Sequence, residues 1–357
     1  MGRVLQLAVL TVFLALLAYQ LPDLGNKLGI FEEAVPIEPG NCHLIKGIEY
    51  GSEDINILPG GLALISSGLK YPMLPNFAPD QPGKIFLVDL NNPTLKAVEL
   101  RIARGFDVES FNPHGLSTYI EEDGTVLVFV VNHPQMTSTV ELFKFEEEQL
   151  SLIHLKTIRH ELLYNVNDIV ALSSESFYAT NDHYFFNDFL KLIEFFTVLS
   201  WGNVIYYSAL EVKEVATGYG FPNGIAISLD GKYIFLAETA AFKIHVMEIK
   251  SNYMLTPVKS LNVGIGLDNL EVDPKTGDVW TGACLSAWKM FLNNPENPTG
   301  SEVIKIENIL SKDVRMTQVY LNNGSVLQGA SVATVYKNKL LIGTIFHKAL
   351  HCELVSS

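Results

Sequence analysis

A turn followed by a short apolar strand recurs six times along this chain of 357 residues. The strands begin near residues 85, 126, 177, 233, 279 and 340. Their mean separation of about fifty residues is the period of propeller blades rather than of helical solenoids. Further alternating strands, such as residues 140–145 and 243–247, lie between these markers. The repeat therefore predicts an all-β fold, a six-bladed β-propeller with a central tunnel, over residues 40–355.

Other all-β arrangements would also contain recurring hairpins, namely a β-sandwich or two domains built from similar hairpins. However, no linker rich in proline, glycine or serine divides the chain, and its 48% apolar content is ample for one large core. Radial closure also protects the strand edges without a second domain. These observations favour the propeller.

The net charge of −14 excludes one class of partner. No cluster of lysine and arginine interrupts this acidity, so the chain repels phosphate backbones and nucleic-acid binding is not expected. Bound cations would neutralise part of the acidity.

The amino terminus resembles the apolar region of a secretory signal. Residues 4–19 are apolar apart from Gln6 and Thr11, and Arg3 precedes them. The stretch is somewhat short for a spanning helix of about 20 residues, and Leu16 stands where a cleavage site needs a small residue. We therefore expect residues 1–20 to form an uncleaved helical signal-anchor rather than a removed signal peptide.

The three cysteines fit an oxidising compartment with one disulfide and one remaining thiol. Cys42 and Cys352 bracket nearly the whole folded region, so we pair them and leave Cys284 free. Asn323 begins the only glycosylation sequon of the chain. Together these features predict the secretory pathway, with the propeller on the lumenal or extracellular side.

Residues 183–207 interrupt the strand pattern. Phe185, Phe189 and Ile193 recur at helical spacing, with Lys191 and Glu194 toward the other face. Two interpretations remain open for this covering helix. Its apolar stripe is either buried against the propeller, or it contacts a membrane interface, where aromatic rings are favoured.

Oxygen-bearing residues cluster beside apolar strands at four distant points of the sequence. They are Glu53-Asp54, Asn167-Asp168, Asn223 and Asp268-Asn269. A closed ring of strands can bring such residues to one axis, where six or seven oxygens suit Ca²⁺. Because neighbours on a strand point to opposite faces, each pair is suited to serve two ions. One group then contains Glu53, Asn167 and Asn223, with Asp268 and Asn269 as further candidates, and the other contains Asp54 and Asp168.

Familiar catalytic motifs are incomplete in this chain. His160-Glu161 lacks the second histidine of a zinc protease motif, and Gly329 to Ala333 fails the serine hydrolase pattern at its last position. Because these motifs are incomplete, the predicted metal ion is left as the electrophile. Of the nine histidines, His114 and His133 stand at predicted strand ends of one blade, where a side chain that titrates near neutral pH could exchange protons.

Several longer stretches make the sequence similar to the vertebrate serum paraoxonase family over nearly its full length. The stretches are residues 51–54, 65–72, 111–115, 130–134, 181–184, 325–329 and 346–350. The resemblance implies a six-bladed propeller with two calcium ions in its tunnel. It also implies hydrolysis of lactones and aryl esters, with less selective action on organophosphates, and association with a membrane or lipoprotein surface.

The resemblance assigns roles to individual residues. It implies a catalytic calcium held by Glu53, Asn167, Asn223, Asp268 and Asn269, and a structural calcium held by Asp54, Asp168 and the Leu116 carbonyl. Because Asp268 and Asn269 then serve one ion, their backbone cannot be a regular strand. The general base would be His114 assisted by His133, with Asp182 orienting the site from behind, although a ligand carboxylate, Glu53 or Asp268, is an alternative base. The expected substrate wall comprises Leu69, Lys70, Tyr71, Phe221 and Cys284.

One departure from the family concerns the substrate wall. Where the family usually has Gly-Cys-His-Pro, this chain has Gly282-Ala283-Cys284-Leu285, which displaces the thiol and removes a histidine. Substrate range is affected more than metal chemistry.

A calcium-dependent lactonase and arylesterase is therefore predicted. The alternative is a non-catalytic propeller that keeps calcium for stability and acts as a binding or scaffold protein. Homo-oligomerisation is compatible with both.

Overall fold

The computed structural model describes residues 35–71, 78–197, 199–294 and 296–354, together with Gly25. Its strands form six antiparallel sheets, joined in one case by a short parallel edge strand. The innermost strands of successive sheets contact one another in ring order, and the sixth contacts the first. This closed ring is a six-bladed β-propeller, and it confirms the fold predicted from the repeat.

Strands are numbered in chain order, and each blade is given from its innermost strand outward. Blade 1 contains β2 (Ile55–Ile57), β3 (Leu62–Ser67), β4 (Lys84–Asp89) and β5 (Val98–Glu99). Blade 2 contains β7 (Pro113–Ile120), β8 (Val126–Asn132), β9 (Thr139–Glu146), β10 (Ser151–Ile158) and the edge strand β6 (Arg101–Ile102). Blade 3 contains β11 (Val166–Ser173), β12 (Ser176–Asn181), β13 (Gly202–Ser208) and β14 (Val212–Tyr219).

The second half of the ring repeats this pattern. Blade 4 contains β15 (Pro222–Ile227), β16 (Tyr233–Glu238), β17 (Lys243–Ile249) and β18 (Leu255–Asn262). Blade 5 contains β19 (Leu267–Val272), β20 (Val279–Cys284), β21 (Ser301–Glu307) and β22 (Arg315–Asn322). Blade 6 contains β23 (Ala330–Tyr336), β24 (Lys339–Thr344), β25 (Leu350–Glu353) and β1 (His43–Leu44).

Blade 6 closes the ring because its outermost strand comes from the beginning of the chain. Strand β1 pairs with β25, and the Cys42–Cys352 disulfide lies beside this pair and joins residues 310 positions apart. The predicted disulfide is confirmed. On the chain-entropy model, a link across so long a loop stabilises the fold by about 5 kcal/mol.

The core is divided among six apolar clusters, one between each pair of neighbouring blades. Strand β8 shows why the central strands are continuously apolar. Val128 and Val130 pack toward blade 1, whereas Leu127, Phe129 and Val131 pack toward blade 3. Each such buried side chain contributes about 1.5–3 kcal/mol relative to its exposed state. Apolar residues on both faces therefore hold each blade between its neighbours.

The sequence repeat marks equivalent strands in five blades but not in the first. The markers of blades 2 to 6 coincide with β8, β12, β16, β20 and β24, which are second strands. In blade 1 the marker at Ile85 lies on β4, the third strand, and the second strand is Leu62–Ser67. This phase difference explains why the first step of the repeat is the shortest.

Two α-helices and three 3₁₀ turns accompany the described strands. The helices are α1 (Asp188–Thr197), between β12 and β13, and α2 (Ala287–Leu292), between β20 and β21. The 3₁₀ turns cover Val108–Ser110, Pro134–Met136 and Thr239–Ala241. Both helices follow the ends of second strands, so both lie on the same face of the propeller.

Helix α1 turns its polar face, rather than its apolar stripe, toward the propeller. Lys191 and Glu194 are buried, whereas Phe189 and Ile193 are 68% and 37% exposed. The Glu194 carboxylate accepts hydrogen bonds from the Tyr184 and Phe185 amides, which fixes the polar face against the propeller. The interpretation of a plain core stripe is therefore wrong for Phe189 and Ile193.

The predicted signal-anchor of residues 1–20 lies outside the described residues. Within the part that the structure describes, no helix combines the length and the apolar character needed to cross a membrane.

Candidate active site

The inner strands share a backbone irregularity near the tunnel. In β7, β11, β15 and β19, three residues span the distance that two residues span on the neighbouring strand. The extra residue is a β-bulge, which redirects side chains and is common beside active sites. His114, Asn167, Asn223 and the Asp268-Asn269 pair all lie within these bulges. The expectation that Asp268 and Asn269 depart from a regular strand is confirmed.

Two bulge glycines permit the inner strands to approach closely. A Cβ atom on Gly115 would lie 2.5 Å from Asp168 Oδ1, and one on Gly224 would lie 2.6 Å from the Asn269 Cα. Any side chain at either position would push adjacent strands apart. Gly115 and Gly224 therefore keep the oxygen-bearing residues of neighbouring blades within reach of one another.

Five of the predicted ligand residues lie together, four of them in the bulges and Glu53 just before β2. We call them the oxygen ring: Glu53, Asn167, Asn223, Asp268 and Asn269. All five are at least nine-tenths buried, and four of them line one cavity. The fifth, Asn269, donates its amide hydrogen to Glu53 Oε1 at 2.9 Å and to the Glu53 carbonyl at 3.0 Å. Ser331 holds the same carbonyl at 2.7 Å. The ring thus spans blades 1, 3, 4 and 5.

Four oxygens of the ring have no hydrogen-bond partner among the described residues. They are Glu53 Oε2, Asn167 Oδ1, Asn223 Oδ1 and Asn269 Oδ1. Each buried acceptor without a partner costs about 1–3 kcal/mol. Convergent carboxamide and carboxylate oxygens are the ligands that calcium prefers, and the carboxylates of Glu53 and Asp268 match its charge. The ring therefore fits a calcium ion.

The surroundings of Asp268 disfavour its ionised form unless a cation lies beside it. Burial, reinforced by the Glu53 carboxylate, raises the pKa of Asp268 well above its usual range. Among the described residues, no three His, Cys, Asp or Glu side chains form a metal-binding group by themselves. The ring is a mixed set of three carboxamides and two carboxylates, and such oxygen ligands suit a hard cation.

Asp54 and Asp168 differ from their ring neighbours because all of their carboxylate oxygens have partners. The two oxygens of Asp54 accept from the Ile55 and Leu116 amides at 2.8 and 2.7 Å. Those of Asp168 accept from the Ile169 and Ile225 amides at 2.7 and 2.8 Å. We call Asp54 and Asp168 the lower pair.

The lower pair lines a second cavity, together with Leu116 and Glu271. Burial, reinforced by Glu53, raises the pKa of Asp54 to about 7, and burial together with Asp54 raises that of Asp168. Two carboxylates that repel each other in a buried position are suited to a shared cation. The lower pair thus lines a different cavity from the oxygen ring, although Asp54 and Asp168 each directly follow a ring residue in the sequence.

The two predicted catalytic histidines form a pair beside the ring. His114 Nδ1 lies 3.0 Å from His133 Nε2, and His114 Nε2 lies 3.5 Å from Glu53 Oε1. Burial opposes protonation of His114, but the Glu53 carboxylate, together with Asp182 and Asp54, raises the pKa overall. Burial and the adjacent His114 lower the pKa of His133 to about 3. His114 lines the cavity, and His133 stands behind it.

Asp182 contacts the ring and the cavity wall rather than the two histidines. Its Oδ2 accepts from the Tyr71 hydroxyl at 2.7 Å and from the Asn167 amide at 3.2 Å. Its Oδ1 pairs with His183 Nδ1 at 2.9 Å. Although burial opposes ionisation, His183 lowers the pKa of Asp182 below its usual value. The ionised Asp182 carboxylate therefore binds the amide nitrogen of Asn167. The Asn167 oxygen is left without a partner among the described residues.

Apolar side chains line the upper part of the first cavity, which contains about 740 Å³ of space not filled by protein atoms. Leu69, Tyr71, Phe221 and Cys284 of the expected wall are among its lining residues. Lys70 is placed differently, because its amine donates to the Gln81 carbonyl at 2.5 Å. Burial raises the pKa of the Cys284 thiol to about 11, so this side chain is a neutral wall residue.

The two helices supply wall residues that the sequence reasoning missed. Phe195 of α1 and Ala287, Met290 and Phe291 of α2 line the cavity, and the Phe195 and Phe291 rings lie 6.0 Å apart. The aromatic stripe around residue 195 was visible in the sequence, but it did not indicate the tunnel. Helix α2 was not expected, although Ser286, which caps it, was a local signal.

Comparison with known proteins identifies the family of this chain. The arylesterase family model matches residues 33–354. The chain belongs to the arylesterase family. It is 58% identical to serum paraoxonase/arylesterase 2 of Gallus gallus, over 99% of this chain and 100% of the relative. It is 54% identical to serum paraoxonase/lactonase 3 of Homo sapiens, with the same coverage. The resemblance that the motifs indicated is therefore confirmed.

Solved structures support the fold of this family member. A PQQ-bound aldose sugar dehydrogenase from Streptomyces coelicolor matches with a TM-score of 0.55 and 13% identity, over 89% of this chain and 99% of that one. Regucalcin from Agrobacterium tumefaciens matches with a TM-score of 0.51 and 12% identity, over 90% and 96%. At such low identity these matches show the propeller fold alone.

Proposed function

We propose that this chain is a calcium-dependent hydrolase of lactones and aryl esters. The oxygen ring carries the proposal, because four of its buried oxygens have no hydrogen-bond partner among the described residues and four of its side chains line a cavity with apolar walls. Relatives named as arylesterases and lactonases support the reaction class. Nothing in the site favours the alternative of a non-catalytic propeller. Organophosphates would be secondary substrates of the same cavity.

In this proposal the oxygen ring holds the catalytic ion, and the lower pair, with the Leu116 carbonyl, holds a structural ion. When bound, the catalytic calcium would polarise the ester carbonyl and stabilise the developing oxyanion. The apolar walls would hold the organic part of the ester and keep bulk water away from the reacting carbonyl. The ring residues would keep the carbonyl beside His114.

His114 is the proposed general base. With its proton on Nδ1, it donates to His133 Nε2 and leaves Nε2 as the acceptor for a proton from water. The imidazolium that then forms is stabilised by Glu53, 3.5 Å away. Glu53 or Asp268 is the alternative base, and substitution of His114 distinguishes the two possibilities.

Calcium removal tests the proposed function. Purified protein is treated with a calcium chelator while hydrolysis of an aliphatic lactone and of phenyl acetate is followed. We expect both activities to disappear and to return when calcium is added, with magnesium as the control cation. Hydrolysis that persists in the chelator would contradict the metal requirement. Absence of hydrolysis at every calcium concentration would contradict the enzyme assignment and favour the binding protein.

We further propose that the cavity face binds a lipid surface, either a membrane or a lipoprotein. The inverted helix α1 supports this, because Phe189 is 68% exposed and Phe186, just before the helix, is 72% exposed. Trp201 and Trp288, each 46% exposed, and Leu292, 57% exposed, flank the same mouth. Aromatic and aliphatic side chains in this position suit a membrane interface.

Vesicle flotation tests the lipid contact. Phe189→Ser should reduce the bound fraction by several-fold, because it removes the most exposed of the apolar side chains that the structure describes in α1. Leu210→Ser is the matched control, since Leu210 is 98% exposed but lies in the turn at the opposite end of β13. Equal loss in both variants would show that general surface hydrophobicity, rather than this face, controls binding.

The compartment is proposed from three features. The disulfide forms in an oxidising environment. Asn323 lies exposed in the loop after β22, where a glycan has room. We propose that the chain enters the secretory pathway through residues 1–20, which remain as an anchor for the propeller of residues 40–355. Mass spectrometry of the mature amino terminus and of the Asn323 peptide tests both points.

A further inference from the structure

Phe221 occupies an unusual backbone conformation in the wall of the first cavity. Its φ angle is +55°, in the left-handed backbone region that residues other than glycine seldom adopt. Its ring meets the Phe195 ring at 5.4 Å and the His183 ring at 4.7 Å, both edge-on. The direction in which this ring enters the cavity therefore depends on whatever holds its backbone.

The segment before β15 is held by the end of β16. The Thr239 amide donates to the Phe221 carbonyl at 3.1 Å, and the Ala240 amide donates to the Gly220 carbonyl at 3.2 Å. On the other side, the Gly220 amide donates to Glu238 Oε1 at 2.7 Å. Phe221 is thus fixed between contacts that all come from residues 238–240.

Glu238 is the only ionisable side chain among these contacts, and both of its oxygens are engaged. It is 6% exposed, and its Oε2 pairs with His245 Nε2 of the adjacent strand β17 at 2.7 Å. The carboxylate cannot rotate away from Gly220 without breaking the histidine contact. Glu238 does not line the cavity among the described residues, so any effect on a substrate must pass through other residues.

We propose that Glu238 is a positioning residue that acts through Phe221 and thereby sets the room for the apolar part of the substrate. The inference rests on the proposed lactone and ester hydrolysis. Four residues of the oxygen ring line the cavity, and Phe195, Phe221 and Phe291 line it as well. A small lactone needs only the oxygen ring, whereas a lactone with a long alkyl chain also contacts these aromatic rings. Displacement of Phe221 should therefore affect the second substrate selectively.

Steady-state kinetics with γ-butyrolactone and with a γ-lactone that carries a long alkyl chain test the proposal. Glu238→Asp withdraws the carboxylate from Gly220. We expect KM for the long-chain lactone to rise at least fivefold, while its kcat and the KM for butyrolactone stay within twofold. Glu238→Gln keeps an oxygen for Gly220 and should stay within twofold of wild type throughout. Equal changes on both substrates, or no change, would overturn the proposal.

A double-mutant cycle shows whether the effect passes through Phe221. Phe221→Ala should itself raise KM for the long-chain lactone, and adding Glu238→Asp should then change it by less than twofold. An undiminished effect of Glu238→Asp in the Phe221→Ala background would overturn the proposal. Glu302→Asp is the matched control, because Glu302 is 7% exposed and pairs with Gln318 on the outer strands of blade 5. It should leave the ratio of the two KM values unchanged.

A structural measurement separates this inference from the proposed function. If wild-type protein hydrolyses neither lactone, the proposed function fails, and a crystal structure of Glu238→Asp still decides the positioning role. We expect the Phe221 ring to shift in the cavity while the blades stay in place. A ring that keeps its wild-type position would overturn the inference. Thermal unfolding of each variant confirms that folded protein is compared.

Discussion

The two members of the lower pair directly follow two residues of the oxygen ring in the sequence. The hydrogen bonding of their side-chain oxygens is nevertheless different. Glu53 and Asn167 keep oxygens without partners, whereas Asp54 and Asp168, the next residues, have both carboxylate oxygens bound to backbone amides. The first arrangement leaves acceptors free to bind an ion and a substrate. The second uses carboxylates to join strands of different blades, since Asp54 reaches Leu116 and Asp168 reaches Ile225.

This contrast teaches how one strand segment can serve both chemistry and stability. Backbone alternation sends neighbouring side chains to different levels of the tunnel, and the bulges then tilt one level toward the cavity. We therefore expect substitutions in the ring to affect turnover and substitutions in the lower pair to affect folding.

The largest expected effect comes from removing a ring carboxylate. Asp268→Ala should lower lactone turnover by about 1,000-fold or more, because the ring loses one of its two charges at the reacting centre. The unfolding temperature should change little, as seen by calorimetry. Asp313→Ala, an exposed carboxylate on the outside of blade 5, is the control. Equal loss of folding in Asp268→Ala and Asp54→Ala would remove the distinction between ring and pair.

A smaller effect on turnover is expected at the histidine beside the ring. His114→Gln should slow lactone hydrolysis by about 100-fold, the usual contribution of a general base. Calcium affinity, measured by isothermal titration, should remain near that of wild type. Unchanged turnover would instead assign the base to Glu53 or Asp268.

In the lower pair the expected effect is on stability. Asp54→Ala leaves the buried amides of Ile55 and Leu116 without acceptors, at about 1–3 kcal/mol each. The free energy of unfolding in urea should fall by about 2–5 kcal/mol, and most of this loss should persist in a chelator because the amides are affected directly. A loss that vanishes in the chelator would show that Asp54 stabilises only through a cation.

The smallest effect is expected beneath the ring. Ser331→Ala removes one donor to the Glu53 carbonyl, which retains Asn269 as its second donor. The free energy of unfolding should fall by about 1 kcal/mol, and turnover should stay within twofold. A large loss of turnover would mean that Ser331 positions the Glu53 side chain as well as its backbone.

Local patterns in the sequence were sufficient for the fold and for the metal-ligand candidates. Strand periodicity and turns are properties of neighbouring residues, so the six-fold repeat was readable, and alternation separated Glu53 from Asp54. The β-bulges could not be predicted from neighbouring residues, because they depend on the register between one strand and the next. The sequence pattern left open whether Asp268 and Asn269 both belong to the first ligand group, and the family resemblance assigned both to one ion.

Two features of the site could not be derived from local patterns. Helix α1 has the amphipathic spacing of a core helix, but Glu194 turns its polar face inward by binding the Tyr184 and Phe185 amides. The partners of Asp182 are equally remote in sequence, since Tyr71 and Asn167 come from other segments. Both outcomes follow from tertiary hydrogen bonds that no window of neighbouring residues contains.

The closure of blade 6 by strand β1 has a consequence for biosynthesis. The Glu53 carbonyl is held by Asn269 of blade 5 and Ser331 of blade 6, and Cys42 pairs with Cys352, 310 positions later. Blades 2 to 4 can form while the chain is still being translated, but these contacts require residues of blades 5 and 6. The contacts that close the propeller, together with the disulfide, are therefore late steps of folding.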